Sequence, residues 1–151
     1  MQILLPEKIA QRLSLALKEA GRREIGGVLM GERVSDGVYR VQNLTVQRRG
    51  GTFASFVRSV QGILTPLKRF FRQTGYNYTR FNYLGEWHSH PSFALEPSPL
   101  DHETMWDIIE DPQVGANFAV LIIVRLDDIG RLEAKATVYL PGHRMLKGEL
   151  I

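Results

Sequence analysis

Apolar residues return every three to four positions from Ile9 to Ala20, so that Ile9, Leu13, Ala16, Leu17 and Ala20 share one face of a predicted helix. Pro6 near its start and Gly21 near its end are fitting punctuation. The period then changes. Glu24-Ile-Gly-Gly-Val-Leu-Met-Gly31 predicts a short apolar strand whose paired glycines suggest close backbone approach or a bulge. Ser35-Asp-Gly37 predicts a hairpin turn into a strand over Val38 to Val46.

Gly50-Gly51 interrupts the pattern, and a second helix is predicted from about Ser59 to Gln73, with Ile63, Leu67, Phe70 and Phe71 on one face. Pro66 is expected to kink or divide it, because proline lacks the amide hydrogen and clashes with the preceding turn. Asn82 to His90 reads as a strand ended by Pro91, Ser92 to Pro97 as a loop, and Ser98-Pro99 as the opening of a third helix running to about Glu110. Asn117 to Leu126 and Arg131 to Leu140 predict a strand pair joined by the turn Asp127-Asp-Ile-Gly130. The tail after Pro141-Gly142 carries no readable pattern. Helices interleaved with hairpins indicate an α/β or α+β sandwich.

At 151 residues, one domain spanning 1–151 is expected. Hydrophobic residues at 44% and charged residues at 23% match a soluble globular protein rather than a disordered one. The longest apolar stretch, Phe118 to Val124, is far short of the roughly 20 residues a membrane span needs, and the N-terminus shows no secretory pattern. The expectation is therefore a cytoplasmic protein. With no cysteine, metal chemistry must use His, Asp or Glu.

Charge is unevenly spread. Val38 to Asn82 holds eight basic residues (Arg40, Arg48, Arg49, Arg58, Lys68, Arg69, Arg72 and Arg80) and no acid, within a chain of net charge +3. Such a stretch usually marks a solvated face, but its lack of compensating acids suits an anionic partner. Nucleic acid is not the expected one, since no recognisable nucleic-acid motif accompanies the charge.

His88-Ser-His90 carries the chemistry. Residues two apart on a strand point to the same face, so both imidazoles can reach one ion. Catalytic zinc usually takes three protein ligands and keeps a fourth position for water, so a third ligand is required. Asp101 is the leading candidate, because the Ser92 to Pro97 loop can bring the third helix back beside the imidazoles. Ser98 would sit near the substrate carbonyl, able to donate to a developing oxyanion. Ser98-Pro-Leu-Asp101 is also a good helix start, with Ser as N-cap and Asp in the first turn. Asp101 cannot spend the same oxygens on both tasks.

His88-Ser-His90-Pro91, six residues, Ser98, two residues and Asp101 resemble the JAMM motif of the MPN+ (JAB) metalloproteases. Glu24, opening Glu-Ile-Gly-Gly-Val-Leu-Met-Gly, resembles that family's separate catalytic glutamate. The resemblance implies a cytidine-deaminase-like MPN/JAB fold, a curved mixed β-sheet flanked by helices. It also implies one zinc ion held by His88, His90 and Asp101, with Glu24 as the base. The activity implied is hydrolysis, as a zinc isopeptidase or peptidase, of the bond after the C-terminal tail of a ubiquitin-like protein. Brevity and the Gly85-Glu86-Trp87-His88 approach look like bacterial stand-alone members, some of which accompany ubiquitin-like conjugation or antiviral defence systems. Partners would then be a ubiquitin-like protein or its conjugate and the matching conjugation enzymes. In this family an insertion near the basic stretch contacts the substrate, which would make Phe53, Phe56 and Val57 an apolar docking surface.

Alternatives accompany each of these residues. Glu24 could instead pair with Arg22 or Arg23 at the surface, and Glu86, on the strand face of His88, is a rival base. His102 and His143 are expected to be surface or packing residues, and Trp87 a core residue. Ser89 faces away from the histidines and lacks a nucleophile elbow. A non-catalytic MPN-type interaction module is the alternative function.

Overall fold

The protein is described by a computed structural model that covers residues 1–47 and 60–151. Among the described residues, seven strands and three helices follow one another: β1 (Gln2–Leu4), α1 (Glu7–Ala20), β2 (Gly26–Ser35), β3 (Val38–Leu44), α2 (Val60–Gln73), β4 (Phe81–Ser89), α3 (Pro99–Glu110), β5 (Ala119–Leu126), β6 (Leu132–Leu140) and β7 (Arg144–Leu150). The strands form a mixed sheet in the order β1-β3-β2-β4-β5-β6-β7, closed into a barrel because β1 pairs in parallel with both β3 and β7. The α/β character matches expectation. Closure does not follow from the hydrophobic pattern, because β1 is three residues long and β7 is mostly exposed along its length. Pro66 lies inside one continuous α2 and does not divide it.

α1 forms where the 3.6-residue period is, and Ile9, Leu13, Ala16, Leu17 and Ala20 are all buried. These side chains share a core with Trp87, Val120, Ile122, Val124, Ala136 and Val138 on one face of the sheet. The opposite face of β5 and β6 packs Ala119, Leu121, Ile123 and Tyr139 against Met105 and Ile109 of α3. β4 and β5 are parallel neighbours joined through α3, which brings the α3 N-terminus to the C-terminal end of β4. The C-terminal ends of parallel strands are where α/β folds place ligands.

A bulge sets which residues of β4 face which core. Leu29 pairs with Gly85 and Met30 with Tyr83, leaving Leu84 as the extra residue. Gly85 has φ 148°, and a Cβ there would meet Val120 O at 1.9 Å, so only glycine fits. The shift puts Leu84 and Trp87 together in the α1-side core, while Tyr83 and Glu86 face the other way with His88. Among the described residues no helix is long and apolar enough to cross a membrane.

Candidate metal centre

His88 occupies the end of β4 and His90 follows it directly, both buried. Backbone bonding holds this end: Ser89 N–H donates to Ile25 O at 2.8 Å and His90 N–H to Val124 O at 3.0 Å. Ser89, fully buried, uses its Oγ to accept from Ile25 N–H at 3.0 Å, a structural task with no nucleophilic geometry. Trp87 is fully buried on the opposite face and donates Nε1–H to Thr45 O.

His88 Nε2 and His90 Nε2 lie 2.8 Å apart, with Asp101 Oδ1 3.5 Å from the first and Oδ2 3.7 Å from the second. One ligand atom from each of the three residues lies within 4.8 Å of the others. His90 Nδ1 is 2.8 Å from Ala94 O. A carbonyl only accepts, so Nδ1 carries the hydrogen and Nε2 presents its lone pair to the cluster. Two imidazole nitrogens and a carboxylate turned toward one buried point can hold a positive charge between them, and the set of two nitrogens and one oxygen suits a divalent ion such as zinc. The residues therefore fit a metal, as the resemblance implies.

The helix start supplies the rest. Ser98 is the N-cap of α3 and Pro99 its first residue. Ser98 Oγ accepts from Asp101 N–H at 3.2 Å, and Asp101 Oδ2 accepts from Ser98 N–H at 2.6 Å, a reciprocal capping box. Capping thus draws on Oδ2 and leaves Oδ1 outside the cap. Burial pushes the Asp101 carboxyl up, but His88 and the Ser98 bonds outweigh it and hold its pKa at about 2. The Ser98 hydroxyl hydrogen is not spent on the cap.

Glu24 is exposed just before β2. Gly26 pairs with His88, and the Ser89 to Ile25 bond continues that register. Glu24 precedes Ile25 by one residue, so the chain brings it to the end of β4 from which His90 follows. Among the described residues the Glu24 carboxylate forms no ion pair with Arg22 or Arg23, and Arg23 instead bonds Ala20 O and Glu19 O at the end of α1. Glu86, the rival base, is buried and accepts Tyr83 O–H at 2.8 Å. Burial raises its pKa to about 8 against the lowering effect of Tyr83, so at neutral pH it holds its proton.

His102 packs through a 2.8 Å bond with Tyr139 OH, and exposed His143 lies 4.8 Å from the Trp106 ring. Neither belongs to the cluster. Phe53, Phe56 and Val57, expected as a docking surface, lie outside the described residues, as do Arg48, Arg49 and Arg58. The basic stretch is less uncompensated than its composition suggests, because buried Glu32 reaches in from β2 to bind Arg40 and Arg80. Sequence reasoning missed the Ala94 carbonyl, since a main-chain acceptor leaves no mark on residue identity.

Residues 6–136 match the family of prokaryotic homologs of the JAB domain. A protein of Enterobacter hormaechei subsp. hoffmannii (strain UCI 50), named CD-NTase/cGAS isopeptidase, is 33% identical over 133 residues, which are 86% of this chain and 70% of that one. A solution structure from Desulfitobacterium hafniense is similar in fold at TM-score 0.71 and 20% identity, over 99% of this chain and 92% of the other. A JAB1/MPN domain protein from Archaeoglobus fulgidus is similar at TM-score 0.50 and 18% identity, over 100% and 99%.

Proposed function

Because the chain belongs to the prokaryotic family of JAB-domain homologues, we propose that it is a zinc-dependent isopeptidase or peptidase acting at the C-terminal tail of a ubiquitin-like protein. The observation that carries this reading is the convergence of His88, His90 and Asp101 on one buried point beside the α3 N-terminus. Those three residues would hold the ion. Zinc, when bound, supplies Lewis acidity, making hydroxide available near neutral pH and polarising a scissile carbonyl.

The chain's own groups do the remaining work. Glu24, exposed just before β2, takes a proton from the attacking water and delivers it to the departing amine. Ser98 donates its hydroxyl hydrogen to the oxygen on which negative charge develops. The Ala94 carbonyl keeps His90 in the tautomer that a ligand needs. The isopeptidase name of the Enterobacter relative supports an isopeptide as the bond cut and a conjugation-related partner. A non-catalytic module is not favoured, because the polar residues converge instead of being dispersed or replaced.

The test joins metal analysis to cleavage of a panel of tailed and conjugated ubiquitin-like proteins. One zinc per chain and release of the tail are expected. Glu24→Gln should keep its zinc while kcat falls by about 10²–10⁴. A Glu24→Gln enzyme that cleaves at the parent rate removes Glu24 as the base, and a parent chain that takes up no zinc removes the whole reading.

A further inference from the structure

The loop after the two histidines is exposed at Ser92, Phe93 and Ala94, yet it carries the carbonyl that sets the His90 tautomer. Burial does not hold those residues in place. Two cations from the β5–β6 hairpin reach across to the loop. Arg125 donates from Nη1 to Phe93 O at 3.1 Å and from Nε to Glu133 Oε2 at 2.6 Å, Glu133 being its direct cross-strand partner. Lys135, two residues along β6, pairs with Glu96 further round the loop.

The Phe93 carbonyl belongs to the peptide plane just before the one that ends in Ala94 O. Only the two backbone torsions of Ala94 separate the anchored plane from the acceptor of His90 Nδ1–H. We infer that Arg125 is a positioning residue for the metal centre, holding the Phe93 carbonyl so that Ala94 O keeps His90 Nε2 aimed at His88 and Asp101. The inference rests on the reading of those three residues as ligands. Glu133 orients the guanidinium, and a half-exposed cross-strand ion pair alone contributes little to stability. The role is therefore legible in metal binding more than in folding.

The experiment measures zinc affinity by competition with a chromophoric chelator, the visible spectrum of the cobalt-loaded protein, and the Tm of the metal-free protein. It compares the parent chain with Arg125→Met, Arg125→Lys and Glu133→Gln. Arg125→Met is expected to bind zinc about 10–100-fold more weakly, the range for losing a group that orients a ligand. Its cobalt bands should shift while the metal-free Tm stays near that of the parent. Arg125→Lys keeps the charge but not the guanidinium fork that serves Phe93 O and Glu133 together, so it should recover part of the affinity, and Glu133→Gln should lose less than Arg125→Met. Parent-like zinc affinity in Arg125→Met overturns the inference. So does a loss matched by a fallen metal-free Tm, or an equal loss in Glu133→Gln. A parent chain that binds no zinc sinks the ligand reading instead, so the two failures are distinguishable.

Discussion

Two buried carboxylates stand at opposite ends of the β2–β4 pair, Glu32 beside Phe81 and Asp101 beside His88, and they are satisfied in different ways. Glu32 Oε1 accepts two bonds from Arg80, at 2.9 and 2.6 Å, and Oε2 accepts from Arg40 at 2.8 Å and Gln42 at 2.5 Å. Its acceptor sites are filled by permanent cations and an amide. Asp101 spends Oδ2 on the helix cap and turns Oδ1 toward an imidazole 3.5 Å away, beyond good hydrogen-bond length. Burial raises the pKa of each and its partners lower it further than that, so both acids stay ionised at neutral pH. A carboxylate saturated by arginines is a structural clamp, whereas one that keeps an oxygen outside its cap, turned toward the His88 imidazole and beside His90, is equipped to bind a cation.

The largest effect is expected from Asp101→Asn. Its amide oxygen can still accept Ser98 N–H, so the α3 start survives while the charge facing the imidazoles is removed. Zinc affinity should fall by more than the roughly 100-fold upper range for losing a mere supporting group. Cleavage should fall to background, with the metal-free protein unfolding at nearly the parent urea concentration. Retained metal and retained cleavage would erase the distinction between the two acids.

Glu32→Gln tests the other end. It leaves Arg40 and Arg80 facing each other without a counter-charge, and because both are partly exposed the cost should be about 1–3 kcal/mol at neutral pH. Against the raising effect of burial, the Arg80, Gln42 and Arg40 partners hold the Glu32 carboxyl below the ordinary glutamate range. The parent's advantage is fully present above the ordinary, unfolded value and is lost as pH falls through the lower folded one. Urea unfolding of parent and variant should therefore give a gap at pH 7 that closes toward acid. A gap independent of pH would mean that packing, not charge, supplies it. Cleavage per folded molecule should match the parent.

These two ends were not equally legible in the sequence. The His88-Ser-His90 spacing and the Ser98-Pro-Leu-Asp101 helix start are local patterns, so the two elements that meet at the site are readable from residue order alone. The fold class was legible for the same reason, since the helical period of α1 and the continuous apolar run of β5 are local features. Glu32 gave no signal, because its partners lie 8, 10 and 48 residues away and meet it only once β2, β3 and the approach to β4 are assembled. Counting charges along Val38 to Asn82 consequently overstated the free positive charge. Barrel closure was illegible because three residues of β1 are too few to show a period, and the Leu84 bulge because glycine alone does not reveal its torsion.

The smallest expected stability change comes from Ser98→Gly, which asks whether the α3 N-terminus is only a helix start. Glycine is itself an acceptable N-cap, costing a few tenths of a kcal/mol relative to serine, whereas alanine costs about 1. Asp101 Oδ2 can still accept the amide of residue 98, so half of the capping box persists. What glycine cannot replace is the hydroxyl hydrogen that the cap leaves unspent. If Ser98 serves structure alone, as Glu32 does, the variant should match the parent in Tm and in kcat. If the hydroxyl meets developing charge, Tm should hold while kcat falls by about 10²–10³, the range for losing one donor to an oxyanion. Substrate binding should change little, because that interaction strengthens only as the carbonyl oxygen gains charge. A KM rise with kcat intact would instead place Ser98 in ground-state binding.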